Sequence, residues 1–368
     1  MNFQIHLPVQ IFSGEKCLEA HSDVLTMGKH AFIVTGKTAA RKSGALNDLL
    51  PILCRNHISY TVFDRITENP LLTTCFEGGR EARAAGADFV IGIGGGSPID
   101  AAKVIAAFAT NPDIDMMDVF DADKRVNRAL PLIAIPTTAG TGTEANPYGV
   151  MTLPDLTHKK SYNFPDGWAR YAFLDPRYTA TLPPHYSLST SLDAFAHALE
   201  SYLSPKSTDF SEMMALYAAK KIWPNLKEVP YIYTPETRRD LMEASCAAGI
   251  AISVTGTGFP HPLGYSITLL DGISHGCACA LFDGDYIRVN MKTEVGAKKL
   301  SSFATAIGST PGEMAETLPR LSGVDLTFSE EEIVRRVELV CGAKNYANSP
   351  YVLSKDEMLQ LYREHFLK

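Results

Sequence analysis

Asp193 and His197 are the first residues in the sequence whose types and spacing suggest chemistry. They lie four positions apart in an apolar stretch that extends to Glu200. This stretch predicts a buried helix with both side chains on one face, one turn apart. A carboxylate and an imidazole buried together need a partner. The pair is therefore either a buried Asp–His hydrogen bond or half of a metal site that combines a hard oxygen with an imidazole nitrogen.

Two further histidines are candidates for the other half of a metal site. His261 lies between two prolines, and His275 precedes a glycine. On one straight helix a separation of 14 residues would be about 21 Å, which is too far for both to bind one ion. The chain must therefore turn back between them, and Gly264 and Gly272 would permit such a turn. Each histidine, taken alone, is also explained as a loop or cap residue.

A run of three glycines after an apolar segment suggests phosphate binding. Gly94, Gly95 and Gly96 let the backbone approach a ligand closely, and Ser97 predicts a helix N-cap with Asp100 three residues later. The N–H groups and dipole at the start of such a helix favour a phosphate. The alternative is a tight turn before a well-capped helix. The run is neither a P-loop nor a dinucleotide fingerprint in its usual place.

A second candidate ligand loop follows the apolar run 132–135. It contains Thr137, Thr138 and Thr141 together with two glycines, and it ends at Glu144. The hydroxyl groups could donate hydrogen bonds to a cofactor, or they could simply belong to a polar turn.

The composition limits the class of protein. The chain has 368 residues with 45% hydrophobic and 20% charged residues, which predicts a globular protein of two domains. A net charge of −7 argues against nucleic acid as the main partner. Seven scattered cysteines without a Cys-x-x-Cys pair predict a reduced, cytoplasmic chain. We expect no signal peptide and no membrane segment, because no apolar run approaches the roughly 20 residues of a membrane helix.

The chain divides into two parts with different periodicity. Apolar or β-prone runs separated by helical segments predict a parallel α/β sheet, with strands at 3–12, 31–35, 60–64, 88–93, 132–135 and 171–175. Helical spacing dominates afterwards, at 187–203, 208–223, 235–253, 286–308, 311–319, 329–344 and 354–367. We therefore predict a dinucleotide-binding α/β domain over 1–180 and a helical metal-binding domain over 181–368.

Taken together, these motifs resemble those of the iron-containing (group III) alcohol dehydrogenases. The Asp-x-x-x-His pair at 193–197, His-Pro-Leu-Gly-Tyr at 261–265 and His-Gly at 275–276 resemble the metal site of that family. The segment 94–103 resembles its Gly-Gly-Gly-Ser-x-x-Asp-x-x-Lys pyrophosphate motif, and 136–144 resembles its Pro-Thr-Thr-x-Gly-Thr-Gly-Ser-Glu motif. The resemblance covers nearly the whole chain, although the last 80 or so residues carry no motif.

The resemblance implies a fold, a metal site and a reaction. The expected fold is a Rossmann-like parallel sheet followed by an all-α domain, as in the dehydroquinate synthase-like fold. Asp193, His197, His261 and His275 are implied to hold one divalent ion, Fe²⁺ with Zn²⁺ as the alternative. No cysteine is included, which fits a borderline to hard ion. The implied enzyme is a homodimer that transfers a hydride between a small or medium alcohol or aldehyde and NADP or NAD.

The resemblance also implies a set of cofactor-binding residues. In relatives that prefer NAD the position of Gly36 resembles an Asp, which would repel a 2′-phosphate. Glycine at 36, with Lys37, Arg41 and Lys42 close by in the sequence, therefore predicts a preference for NADP(H), unless these three cations are only a solvated surface run. The implied set is Gly36, Lys37, Arg41, Asn69, Gly94, Gly95, Gly96, Ser97, Asp100, Thr137, Thr138, Thr141, Lys160 and Leu182.

Three other functions remain as alternatives. The first is a polyol or glycerol dehydrogenase of the same fold, which usually uses zinc. The second is a dehydroquinate synthase-like lyase, which would need a Lys/Arg-rich pocket that the sequence near the ligands lacks. The third is a non-catalytic binding protein, which the intact ligand set and glycine loop argue against. Many relatives have a histidine where this chain has Tyr265, so the route of the proton is left open between the ribose hydroxyl and water.

Overall fold

The computed structural model describes residues 4–227 and 232–367. The chain forms two compact units. The α/β unit comprises Gln4–Pro183 and Tyr233–Gly249, and the helical unit comprises Pro184–Ile232 and Ile250–Lys368.

The α/β unit is built on a parallel sheet. The strands are β1 (Gln10–Ser13), β2 (His30–Thr35), β3 (Ser59–Phe63), β4 (Phe89–Gly94), β5 (Leu132–Pro136), β6 (Tyr148–Thr152), β7 (Lys159–Asn163) and β8 (Tyr171–Leu174). Six of them form one sheet in the order β1-β8-β5-β4-β2-β3, and every pairing in it is parallel. The strands β6 and β7 form a separate antiparallel pair. The predicted Rossmann-like parallel sheet is therefore confirmed.

Helices cover both faces of this sheet. They are α1 (Cys17–Ala20), α2 (Ala39–Lys42), α3 (Ala45–Arg55), α4 (Leu72–Ala84) and α5 (Gly96–Thr110). Leu49 and Leu53 of α3 share one core cluster with Ile33 and Ile91 of the strands. Gly92 is the next residue along β4, so it points to the opposite face. There a Cβ on Gly92 would lie 3.0 Å from the Cβ of Ala102 in α5, so α5 packs closely on that face.

The strand order reverses between β2 and β4. From β2 the chain moves outward to β3 and then returns to form β4 on the other side of β2. Ligands of open α/β sheets bind outside the carboxyl ends of the strands at such a switch point. The loops that follow β2, β4 and β5 all begin at this edge, and they carry Gly36, Gly94–Ser97 and Thr137–Thr141 respectively.

The helical unit is all-α over its described residues. Its helices, together with one that begins in the α/β unit, are α6 (Pro184–Leu203), α7 (Asp209–Lys227), α8 (Pro235–Thr255), α9 (Pro260–Asp271), α10 (His275–Asn290), α11 (Glu294–Ala306), α12 (Pro311–Ser322), α13 (Glu330–Val340) and α14 (Lys355–Phe366). The helix α8 is the one that starts in the α/β unit and ends in the helical unit. This confirms the predicted all-α second part of the fold.

Some details of the structure differ from the secondary structure predicted from the sequence. The predicted helix 286–308 is two helices, because the Thr293 side chain accepts the N–H of Gly296 and starts α11 anew. Of the two glycines that would permit the predicted turn between His261 and His275, Gly264 lies inside α9, and the chain reverses at Gly272, whose φ of 70° suits glycine. The N-terminal strand begins only at Gln10, and the first residue of the predicted strand, Phe3, lies outside the described residues.

Two negative findings concern the described residues as a whole. None of their helices combines the length and the apolar character needed to cross a membrane. All seven cysteines are described, and each is a free thiol rather than half of a disulfide.

Candidate metal centre

One carboxylate oxygen lies at nearly equal distances from three imidazole nitrogens. Oδ1 of Asp193 is 3.8 Å from Nε2 of His197, 3.8 Å from Nε2 of His261 and 3.9 Å from Nε2 of His275. Protein ligands bind a divalent ion such as zinc at about 2 Å. Each of the three nitrogens is therefore close enough to the Asp193 oxygen to share one ion with it. The structure brings together all four residues that the sequence singled out.

Asp193 and His197 lie on one face of α6, as the spacing predicts. Both are almost completely buried, with exposed fractions of 3% and 6%. The ring of His197 stacks on the ring of His261, with 4.8 Å between centroids and 20° between planes. This stacking places the two Nε2 atoms side by side beside Asp193.

Glu200 orients His261. Nδ1 of His261 lies 2.8 Å from Oε1 and 2.9 Å from Oε2 of Glu200, and the N–H of Gly258 donates to Oε2 at 2.5 Å. Burial raises the pKa of the Glu200 carboxyl, while His197 and the Gly258 N–H act in the opposite direction. With Nδ1 engaged by this carboxylate, Nε2 of His261 is left to face Asp193, which is the usual arrangement of a metal-ligating histidine.

His275 is the first residue of α10, and Gly276 allows it to approach α6. A Cβ on Gly276 would lie 1.8 Å from the carbonyl oxygen of Ser189 and 2.9 Å from the backbone nitrogen of Asp193. The two backbones are therefore too close for any other residue. The His275 side chain is 29% exposed, against 5% for His261, so this histidine marks the accessible side of the site. The ring of Tyr265 stacks beside it, with 5.7 Å between centroids.

The two candidate cofactor loops pack against each other at the edge of the sheet. The Thr137 N–H donates to the Gly94 carbonyl at 2.7 Å. A Cβ on Gly95 would lie 3.1 Å from the Thr138 side chain, and one on Gly96 would lie 2.6 Å from Cγ2 of Thr141. A side chain at 96 would therefore collide with Thr141, one at 95 would press on Thr138, and Gly94 has a φ of 150°, which favours glycine.

The predicted cap at Ser97 was wrong. The helix α5 already begins at Gly96, its N-cap is Gly95, and no side chain caps it. Asp100 does not form a capping box either, because its Oδ2 accepts the N–H of Val150 at 2.9 Å and its Oδ1 accepts the hydroxyl of Thr143. An N-terminus without a side-chain cap suits an anion such as a phosphate.

Lys103 stabilises the second loop and the residues after it through hydrogen bonds from its side-chain amine. Its Nζ donates to the carbonyl and the hydroxyl of Thr143 at 2.8 and 2.6 Å, to the Asn146 carbonyl at 3.0 Å and to the Tyr148 carbonyl at 2.6 Å. Burial lowers the pKa of Lys103 to about 8, although Asp100 and Glu144 oppose the shift. Burial also raises the pKa of Glu144 to about 7. The last two defined residues of the Gly-Gly-Gly-Ser-x-x-Asp-x-x-Lys motif, Asp100 and Lys103, thus both form hydrogen bonds with Thr143 of the second loop.

Comparison with known proteins identifies the family. The family model described as iron-containing alcohol dehydrogenase matches residues 8–176, and the C-terminal model of the Fe-containing alcohol dehydrogenase family matches residues 187–366. The chain belongs to the iron-containing alcohol dehydrogenase family. As a member it is an oxidoreductase that acts on alcohols or aldehydes with a metal ion and a nicotinamide cofactor.

Individual relatives agree with this assignment. The chain is 28% identical to the NADPH-dependent butanol dehydrogenase of Clostridium saccharobutylicum, over 97% of this chain and 96% of that protein. It is 30% identical to a 1-propanol dehydrogenase of Citrobacter freundii, over 93% of this chain and 86% of that protein. The structure of an iron-containing alcohol dehydrogenase from Thermotoga maritima superimposes with a TM-score of 0.91 at 36% identity, with 99% of each chain covered.

The other cofactor residues expected for an iron-containing alcohol dehydrogenase lie in the α/β unit. Lys37 and Arg41 are exposed just after β2, next to Gly36. Asn69 has a left-handed φ of 53°, and its Oδ1 accepts a hydrogen bond from Lys159 at 2.8 Å. The two remaining residues of the set follow the second loop in the sequence: Lys160 lies in β7, and Leu182 is half-buried. The cofactor contacts of these residues, and of Asp100, stay predictions.

Two residues beside these donor atoms, Glu200 and Cys279, were not predicted from the sequence. Glu200 is three residues after His197 and seven after Asp193, so the same helical periodicity that paired those two also places Glu200 on their face. Cys279 follows His275 by four residues on α10, and the cysteines had been left out of the predicted ligand set. In both cases the signal was the spacing from a residue already singled out.

Proposed function

We propose that Asp193, His197, His261 and His275 of this iron-containing alcohol dehydrogenase hold one divalent ion, Fe²⁺ or Zn²⁺. We propose further that the enzyme interconverts small or medium alcohols and aldehydes with NADP(H) in preference to NAD(H). The observation that carries the proposal is that one oxygen of Asp193 lies 3.8–3.9 Å from three Nε2 atoms. The site is buried except at His275, whose side chain is partly exposed. Such a set of one carboxylate and three imidazoles suits a borderline metal ion.

The residues of the chain prepare this site for the reaction. When bound, the ion polarises the substrate oxygen as a Lewis acid, and the nicotinamide carries the hydride. Asp193 supplies the only negative charge among the four donors, so the centre keeps a net positive charge toward a substrate oxygen. Glu200 fixes the ring of His261. The partly exposed side of His275 is where the substrate enters. Tyr265 packs against that ring and is assigned no acid–base role.

The preference for NADP(H) is supported by charge at the end of β2. Gly36 places no carboxylate there, and the exposed Lys37 and Arg41 supply two positive charges beside it. A guanidinium matches a 2′-phosphate through its planar fork. The pyrophosphate is assigned to the uncapped start of α5 at Gly95–Ser97. The Clostridium saccharobutylicum relative is itself named as NADPH-dependent, which favours the same cofactor here.

A panel of substrates with both cofactors tests the proposed function. Protein freed of metal and then reloaded anaerobically with Fe²⁺ or Zn²⁺ should reduce short straight-chain aldehydes with NADPH, whereas the metal-free protein should not. The relatives named for propanol and butanol make three- and four-carbon aldehydes the first choice. Faster turnover of glycerol or other polyols than of these simple alcohols would favour the polyol dehydrogenase instead. Failure to oxidise or reduce the cofactor with any substrate would contradict the proposal.

We also infer a homodimer in a reducing cytoplasm. The dimer is an expectation from the family resemblance, and light scattering of the purified protein would test it. The compartment is supported by seven cysteines of which none forms a disulfide. Fractionation of the source cells with an antibody would test it.

A further inference from the structure

One face of α5 contacts the second cofactor loop. Gly96, Asp100 and Lys103 are spaced i, i+4 and i+7 in this helix, so they lie on the same face. A Cβ on Gly96 would lie 2.6 Å from Cγ2 of Thr141, and Oδ1 of Asp100 accepts the hydroxyl of Thr143. The chain from 141 to 143 therefore lies against the face of α5 that begins at the glycine run.

The amine of Lys103 forms all its hydrogen bonds inside the protein. Its Nζ lies within 3.0 Å of four oxygens, which are the carbonyl and hydroxyl of Thr143 and the carbonyls of Asn146 and Tyr148. An ammonium group has three N–H donors, so these acceptors use all of them. The residue is also 1% exposed. Although Lys103 belongs to the segment that resembles the pyrophosphate motif, it has no donor left for a phosphate.

The second loop is packed tightly on its other side as well. A Cβ on Gly142 would lie 2.5 Å from Cα of Gly249 and 2.6 Å from the carbonyl oxygen of Ser245, both in the part of α8 that belongs to the α/β unit. The carbonyl of Gly142 accepts a hydrogen bond from the Asn146 side chain at 2.9 Å. The loop is thus enclosed between α5 and α8, and the position of Thr141 depends on how residues 142–148 are held.

We propose that Lys103 is a positioning residue for the nicotinamide cofactor and does not itself contact it. By holding residues 143–148 on α5, it fixes Thr138 and Thr141 beside Gly95 and Gly96. The inference rests on the proposed function for the place of the cofactor, at the start of α5. Without the amine, the carbonyls of residues 143, 146 and 148 lose this donor, and the loop must shift to recover hydrogen bonds.

Fluorescence titration of the Zn²⁺-loaded protein with NADPH and with NADH measures the effect. Lys103→Met removes the amine and keeps a long, unbranched side chain. We expect its Kd and KM for the cofactor that the wild type binds more tightly to rise by about tenfold or more. The affinity for Zn²⁺ and kcat at saturating cofactor should change much less, because Lys103 contacts neither the metal ligands nor the cofactor.

Two variants of Thr143 test the same contact from the side of the loop. Thr143→Val removes the hydroxyl that lies between Lys103 and Asp100, and it should raise the Kd for the cofactor in the same direction. Thr143→Ser keeps the hydroxyl and should bind the cofactor as the wild type does. A Kd that rose as much in Thr143→Ser as in Thr143→Val would overturn the proposal, because the hydroxyl would then have no part in the effect.

Lys299→Met is the matched control in the helical unit. Nζ of Lys299 likewise donates to a backbone carbonyl, a hydroxyl and a carboxylate, those of Tyr202, Ser207 and Glu212. This variant should lose stability without any change in the Kd for the cofactor, and an equal rise in Kd would overturn the proposal.

The outcomes separate this inference from the proposed function. Wild-type cofactor affinity in Lys103→Met would overturn the role of Lys103 and leave the cofactor site of the proposed function intact. If circular dichroism shows that Lys103→Met does not fold, wild-type affinity in Thr143→Val overturns it in the same way. A wild-type protein that binds neither NADPH nor NADH would overturn both.

Discussion

Glu200 and His261 are joined through the ring nitrogen that does not face Asp193. Nδ1 of His261 lies 2.8 Å from Oε1 of Glu200, and the second oxygen also accepts the N–H of Gly258. A single buried carboxylate therefore orients the imidazole and positions the residues that lead into α9. Because the contact defines which nitrogen is protonated, it also sets how strongly Nε2 can bind a metal ion.

The variant Glu200→Gln should weaken metal binding. Both oxygens of Glu200 face N–H donors, so an amide would turn its own NH₂ toward one of them. We expect the metal affinity of the apo-protein to fall by about tenfold to a hundredfold, measured by chelator competition. Glu313→Gln, at an ion pair with Lys227 on the surface, serves as the control and should leave the affinity unchanged. Wild-type affinity in Glu200→Gln would show that this carboxylate does not support the centre.

The close approach at Gly276 should tolerate no side chain. In Gly276→Ala the new Cβ would lie 1.8 Å from the Ser189 carbonyl oxygen, so α10 must move away from α6 and take His275 with it. We expect a loss of about 1–3 kcal/mol in the free energy of unfolding, together with weaker metal binding. The control is Gly312→Ala in α12, where the nearest atom to a Cβ is 4.0 Å away. If urea unfolding gave the same free energy of unfolding for both variants, the contact at Gly276 would not be too close for a side chain.

The sequence predicted the parts of the fold that depend on strong local patterns. The apolar runs at 31–35 and 132–135 are fully buried strands, and their neighbours in the sheet were found in the same way. The pair β6–β7 was missed, because a stretch such as Lys159-Lys160-Ser161 has no apolar alternation. The break before α11 was missed because helical spacing continues through it, and only the cap at Thr293 ends the pattern.

At the candidate site, sequence patterns identified residues but not their environment. The motifs named Asp193, His197, His261 and His275, and the structure brings their donor atoms together. The packing of Gly95 against Thr138, by contrast, depends on two loops distant in sequence, and no local pattern encodes it.

Gly36→Asp should lower the preference for NADP(H) over NAD(H). A carboxylate at this position would repel a 2′-phosphate, at a cost on the order of 1–3 kcal/mol in a partly buried site. The ratio of kcat/KM for NADPH over NADH should exceed one in the wild type and fall accordingly in the variant. A Cβ at 36 would lie 3.2 Å from the Ile66 carbonyl oxygen, so Gly36→Asn is needed to separate volume from charge. An equal fall in Gly36→Asn, or a wild-type ratio below one, would argue against the phosphate site.

Glu144 should make stability depend on pH. Burial raises its pKa from 4.5 to about 7, so between these values the folded state holds a proton that the unfolded state has lost. The stabilisation from this group is therefore complete below pH 4.5 and is lost as the pH rises through about 7. Glu144→Gln keeps the shape of the neutral form and removes the titration.

Urea unfolding of both proteins at about pH 5 and about pH 7.5 measures the effect. Between these conditions the free energy of unfolding of the wild type should decrease relative to that of Glu144→Gln, by on the order of 2 kcal/mol. Parallel pH dependence in the two proteins would mean that Glu144 keeps an ordinary pKa in the fold.

Metal binding by the four-ligand centre is the central claim, and an anaerobic titration tests it most directly. Metal-free wild-type protein should bind one equivalent of Fe²⁺ or Zn²⁺ per chain, and reduction of aldehyde by NADPH should rise in proportion to the bound metal. His261→Ala and Asp193→Asn should lose this binding while circular dichroism shows the fold retained, because the sheet of the α/β unit has its own core. One equivalent of metal bound with wild-type affinity in either variant would contradict the assignment.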